Sequence, residues 1–94
     1  MQSKKRLEWS KRAEKRLDAI YDYIALDNSK AAKSVSIYLL ESALSLVDFP
    51  EVGHAGKREG TRELVLLRYP YTLVYRLSAT RIVIVAVVHQ RQKH

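Results

Sequence analysis

Three apolar segments, separated by breaks of only a few residues, fill most of the last third of this 94-residue chain. They are Gly60-Thr61-Arg62-Glu63-Leu64-Val65-Leu66-Leu67-Arg68, then Tyr71–Leu77, then Arg81–Arg91. Runs of this length, rich in Val, Ile, Leu and Tyr and bounded by turn residues, predict consecutive β-strands. Arg68-Tyr69-Pro70 joins the first two, and Ser78-Ala79-Thr80 joins the last two as a tight hairpin. Connections this short permit only antiparallel neighbours, so the chain is committed to a sheet. In the last segment Ile82, Ile84, Ala86 and Val88 alternate with Val83, Val85 and Val87, giving two apolar faces. A strand apolar on both faces lies inside the sheet or is covered on both sides.

The N-terminal half has a different period. Leu7 and Trp9 alternate with Arg6 and Glu8, which predicts a short half-buried strand ending at Ser10, a good helix cap. Ala13, Leu17, Ile20, Tyr21 and Ile24 then fall on one face of a helix over residues 11–26. Asp27-Asn28-Ser29 forms a turn and caps a second helix, whose stripe is Ala32, Val35, Leu39, Ser42, Ala43 and Leu46 and which ends near Phe49-Pro50. Helices joined so closely lie antiparallel. Glu51 to Gly60 holds Gly53, Gly56 and Gly60 without apolar periodicity and reads as a loop. The order β-α-α-β-β-β predicts one α+β domain over residues 1–94. In it an antiparallel two-helix hairpin packs on a mainly antiparallel sheet of about four strands.

Composition narrows the function classes. A 47% hydrophobic content excludes a disordered chain, and the absence of cysteine excludes disulfides, thiolate nucleophiles and thiolate metal sites. No apolar run approaches the ~20 residues of a membrane helix. Met1-Gln2-Ser3-Lys4-Lys5-Arg6 is basic without an apolar signal core behind it, so a cytoplasmic location is expected. Nothing in the sequence calls for a metal or another cofactor. The net charge of +7 is concentrated after residue 56, where eight Lys and Arg face only Glu59 and Glu63. Such a region attracts nucleic acid or an acidic protein. Lys11, Arg12, Lys15 and Arg16 also crowd the start of the first helix while Asp18 and Asp22 follow, the reverse of what the helix dipole favours. That order fits either a solvated face or a basic surface kept for a partner.

Arginines spaced along strands are costly to bury and point to a face that meets something anionic. Arg62, Arg68, Arg76 and Arg91, with Lys57 and Arg58 from the loop, are the candidate phosphate or target contacts. Metal-free RNA cleavage needs, in addition, a base and an acid beside the phosphate, for which His89 and Glu63 are the candidates. Against catalysis, a histidine after an internal strand is commonly a hydrogen-bonded structural residue, and Tyr69, Tyr71 and Tyr75 read as sheet packing. His54 reads as an exposed loop residue and His94 as a mobile terminal one. Arg62 and Glu63 alternate to opposite faces. Arg76 shares a face with Thr72 and Val74; it is open if the helices cover Tyr71, Leu73 and Tyr75, and must pair with a carboxylate such as Glu63 or Asp18 if they cover the other side. The stripe on the second helix reads as core, and any exposed apolar remainder suits burial against a partner.

Over nearly its full length the chain resembles the RelE/ParE superfamily of small bacterial toxins. The resemblance rests on Leu7-Glu8-Trp9-Ser10, Tyr23-Ile24, Ala31-Ala32 and Phe49-Pro50-Glu51-Val52-Gly53. It rests most on Gly60-Thr61-Arg62-Glu63-Leu64-Val65, Pro70-Tyr71-Thr72-Leu73-Val74-Tyr75-Arg76 and Val87-Val88-His89-Gln90-Arg91. It implies the toxin half of a type II toxin–antitoxin pair, neutralised by an antitoxin whose extended C-terminal segment wraps the toxin's helices and sheet. RelE-like members cleave mRNA in the ribosomal A site, whereas ParE-like members poison DNA gyrase. The His-x-Arg ending resembles the ParE-like, plasmid-stabilisation branch. RelE-like nucleases use a basic tail that often carries a tyrosine, and only Gln90-Arg91-Gln92-Lys93-His94 follows His89 here. The resemblance therefore implies a gyrase inhibitor acting through Arg62, Arg68, Arg76, His89 and Arg91, with a ribosome-dependent endoribonuclease as the alternative.

Overall fold

Ser10 ends the first strand and starts the first helix in a single residue. In the computed structural model, which describes residues 4–91, its backbone is extended (φ −66°, ψ 159°) and its side chain accepts the Ala13 N–H at 3.1 Å. Strand β1 (Arg6–Trp9) thus passes directly into helix α1 (Lys11–Ala25). Asn28 caps helix α2 (Ser29–Asp48) in the same way, accepting the Ala31 N–H at 3.0 Å. Strands β2 (His54–Ala55), β3 (Thr61–Val65), β4 (Tyr71–Leu77) and β5 (Arg81–His89) follow.

The sheet order is β1-β5-β4-β3-β2. Strand β1 runs parallel to β5, which the chain reaches through both helices and strands β2–β4, and every other pairing is antiparallel. The fifth strand lies in the segment that reads as a loop: His54 and Ala55 pair with Glu63 and Arg62. Two residues are too few to generate an alternating pattern, which is why the sequence does not announce them. Strand β3 also ends at Val65 rather than Arg68; Leu66 N–H closes the turn on the Tyr71 carbonyl at 3.0 Å.

The helices cover one side of the sheet, packing Ala13, Ile20, Val35, Leu39, Ala43 and Leu46 against Leu73, Tyr75, Ile82, Ile84 and Val87. Strict alternation along β5 fails. Ile82 and Ile84 oppose Leu77 and Tyr75, but a register shift follows, and Val87 and His89 then oppose Leu73 and Tyr71. A bulge inserts one residue near Val85, so Ala86 and Val88 turn away from the helices instead of continuing the Ile82/Ile84 side. An unbroken β-branched run carries no mark of where its parity changes.

Candidate functional site

Between β2 and β3 the chain doubles back through Lys57–Gly60, and Gly60 takes φ +80°, where a side chain is strained. Several hydrogen bonds hold this loop down, among them Thr61 N–H to the Arg58 carbonyl at 3.1 Å. Gly56 N–H donates to the Thr61 carbonyl at 2.8 Å, Thr61 Oγ1 donates to the Arg58 carbonyl at 2.6 Å, and Lys57 N–H donates to Glu63 Oε2 at 3.2 Å. Arg76, exposed on β4, donates to the Glu59 carbonyl at 3.4 Å. The loop thereby brings Arg58 beside Arg76 on the side of the sheet that faces away from the helices. The open-face reading of Arg76 holds, since Leu73 and Tyr75 point into the helical core.

On that side lies a hollow of about 120 Å³ with Val74, Ala86 and Val88 among its walls, Glu63 and Thr61 beside them, and Arg12, Arg58 and Arg76 around it. Glu63 is 7% exposed. Arg12 arrives from α1, and the reason lies in strand pairing. Strand β1 covers only Arg81–Ile84 of β5, so the outer edge of the rest of β5 meets the first turns of α1. There Ser10 Oγ donates to the Val85 carbonyl and Arg16 Nε to the Val87 carbonyl, both at 3.3 Å. A second, shallower hollow of about 430 Å³ joins Arg12, Lys15 and Arg16 to Ala86, Val87 and Val88. The cations of α1 and those of the sheet therefore form one surface. Sequence reasoning did not place Arg12, Lys15 and Arg16 at the site; their unfavourable position on the helix dipole was the available signal.

The other candidates lie elsewhere. Arg62 points to the helix-covered side, where its Nη2 donates to the carbonyls of Glu51 at 2.8 Å and Gly53 at 2.7 Å. Tyr75 finishes the same clamp, donating to the Pro50 carbonyl at 2.8 Å and accepting the Gly53 N–H at 3.0 Å. Arg68 sits over the Tyr69 ring, which meets Tyr38 edge-on. His89 packs edge-on against Tyr71 with centroids 5.4 Å apart, and its Nδ1 accepts the Arg91 N–H at 3.1 Å. Gln90 ties this end to the turn that holds Arg68, through its N–H to the Pro70 carbonyl and its Nε2 to the carbonyls of Leu66 and Tyr71. Arg68, His89 and Arg91 thus share one rim, as antiparallel strands allow. Glu63 and His89, however, project to opposite sides of the sheet. His94 lies outside the described residues.

The helical side is chemically different. Ile37, Leu40 and Leu44 of α2 are 54%, 42% and 58% exposed at helical spacing. Leu40 continues into a groove with Leu7, Trp9 and Leu17 that is edged by Glu8, Glu14 and Asp18. Among the described residues no helix is long and apolar enough to cross a membrane.

Residues 7–94 match the ParE toxin family, described as the ParE toxin of the type II toxin–antitoxin system parDE. The Sinorhizobium fredii toxin candidate Y4kP is 38% identical over 91 residues, which span 97% of this chain and 94% of that protein. Among solved structures, the chromosomal ParDE toxin–antitoxin system of P. aeruginosa superposes with a TM-score of 0.81 at 27% identity, covering 90% of this chain and 95% of the other. The RelBE2 toxin–antitoxin complex of Mycobacterium tuberculosis shares the fold, with a TM-score of 0.68 at 24% identity over 93% of this chain and 99% of that one.

Proposed function

The chain belongs to the ParE toxin family of type II toxin–antitoxin systems, and we propose that it arrests growth by binding a protein target, DNA gyrase, through the cationic side of its sheet. The make-up of that side carries the reading. Arg12, Arg58 and Arg76 surround aliphatic walls, no aromatic ring among the described residues lines the hollow, and His89 projects from the other side of the sheet. Recognition of single-stranded RNA leans on aromatic stacking, and RNA cleavage by His89 would need that ring at the phosphate. A protein target asks for neither. The ParE-like resemblance supplies gyrase as that target and the cytoplasm as the place of action.

A cognate antitoxin is the second partner. The P. aeruginosa and M. tuberculosis relatives are toxin–antitoxin assemblies, and this chain leaves Ile37, Leu40 and Leu44 uncovered beside an apolar groove. An exposed helical stripe of this kind suits the apolar side of an antitoxin segment. A ribosome-dependent mRNA endoribonuclease is the alternative function, and it draws on Glu63, which shares the hollow with three arginines and would serve as the base.

The deciding experiment pairs two assays on the purified chain. With gyrase and relaxed plasmid, loss of supercoiling or trapped double-strand breaks is expected, and Arg76→Glu should abolish it. With programmed ribosomes, no transcript cleavage is expected. A-site cuts that disappear in Glu63→Gln or His89→Ala would replace the gyrase reading with the nuclease one.

A further inference from the structure

We infer that the hollow between Arg12, Arg58 and Arg76 is a receptor for one aliphatic side chain carried on an acidic protein segment. The inference rests on the reading that this side meets a protein, and it specifies what that protein presents.

Size and lining select the central group. Val74, Ala86 and Val88 are aliphatic, and the bulge in β5 is what turns the latter two to this side. A dry cavity of about 150 Å³ takes up a benzene molecule, so a hollow of about 120 Å³ suits a single Leu, Ile or Val side chain.

Charge selects the flanks. Three guanidiniums against the one carboxylate of Glu63 leave an excess of positive charge at the hollow. Glu63 is buried in the wall and accepts the Lys57 N–H, whereas Arg12, Arg58 and Arg76 are exposed. A carboxylate pushed to the floor would meet Glu63; a carboxylate at the rim meets arginine. The favoured ligand is therefore uncharged at its centre and acidic on either side.

Backbone geometry argues against simple strand addition at the neighbouring edge. The carbonyls of Val85 and Val87 are already engaged by Ser10 Oγ and Arg16 Nε. Recognition here falls to side chains on the face of the sheet.

The test uses the full chain and fluorescent, end-blocked peptides read by anisotropy. The peptides are Glu-Asp-Leu-Glu-Asp, the same peptide with Ala in place of Leu, the same with Lys in place of each acid, and a single-stranded RNA pentanucleotide. The Leu peptide should bind, and the Ala peptide should bind about tenfold more weakly, as loss of a buried Leu side chain predicts. The Lys peptide should not bind. Ala86→Leu, which fills the hollow, should cost a similar factor. The double change Arg58→Ala with Arg76→Ala, on exposed positions, should weaken binding and flatten its salt dependence, with thermal melts reporting that each variant is folded. Equal affinity for the Leu and Ala peptides, or no peptide binding at millimolar concentration, overturns the inference. So does RNA binding that is tighter and lost in Ala86→Leu, which makes the hollow a nucleic-acid site. Gyrase inhibition measured on the same variants separates the two claims: inhibition retained in Ala86→Leu sinks the receptor and leaves the gyrase reading standing, while no inhibition by the unmodified chain sinks the gyrase reading.

Discussion

Arg62 and Arg76 sit one register step apart on adjacent strands and meet opposite fates, since Arg62 pairs with Tyr75 and Thr61 with Arg76. Alternation along each strand correctly separates Arg62 from Glu63. What it cannot reveal is that the chain after α2 returns beneath Arg62 and offers it the carbonyls of Glu51 and Gly53. Arg62 is thereby a clamp in the fold, while Arg76 stays exposed. Unfolding by urea should divide them. Tyr75→Phe should cost roughly 1–3 kcal/mol, because it leaves the buried Gly53 N–H without its partner. Arg62→Ala should cost about 0.5–1.5 kcal/mol, because the carbonyls it serves are exposed or half-buried. Arg76→Ala should stay within about 0.5 kcal/mol of the parent, as surface changes do. Gly53 belongs to the same clamp: a Cβ there would fall 2.7 Å from Tyr75 Oη and 2.9 Å from the Glu63 carbonyl oxygen. Gly53→Ala should therefore be the more damaging partner of Tyr75→Phe in the same titration, since backbone and a buried ring must move together.

Among elements, helix α1 was legible down to its cap, and strand β5 was legible as an internal strand but not in its change of parity. Ser10 and the apolar stripe announce the helix, whereas an unbroken valine-rich run conceals the bulge that sends Ala86 and Val88 to the cationic side. The α1 cations show why local rules broke at the site. Lys11 and Arg12 oppose the helix dipole, yet only Arg12 lines the hollow. Replacing either by Glu in this first turn should stabilise the protein by about 0.3–1 kcal/mol, read as a higher denaturation midpoint. Lys11→Glu should retain target inhibition and Arg12→Glu should lose it. If both variants gain stability and both retain inhibition, the reversed charges are merely a solvated face.

At the scale of the molecule, the chain separates two chemistries on the two sides of one sheet. Strand order and spacing were enough to read the family from sequence, because the alternating segments and their turns are local features. The two-sidedness was not readable, because it depends on which face the helices cover and on where α1 meets the uncovered edge of β5. One side carries Arg12, Arg58 and Arg76 around aliphatic walls. The other carries Ile37, Leu40 and Leu44 beside a groove edged by Glu8, Glu14 and Asp18. Separate surfaces predict separable phenotypes when toxin is expressed with and without its antitoxin. Leu44→Glu places a charge in the exposed stripe without touching the cationic side. It should leave growth arrest intact and weaken neutralisation, by tenfold or more in antitoxin affinity if Leu44 is buried in that complex. Arg76→Glu should do the reverse, abolishing arrest while the antitoxin still binds. Co-purification on a tagged antitoxin together with colony counts reads both outcomes at once. A single variant that loses both properties while its melting temperature is unchanged would mean that target and antitoxin compete for one surface, and neutralisation would then be direct occlusion of the cationic side.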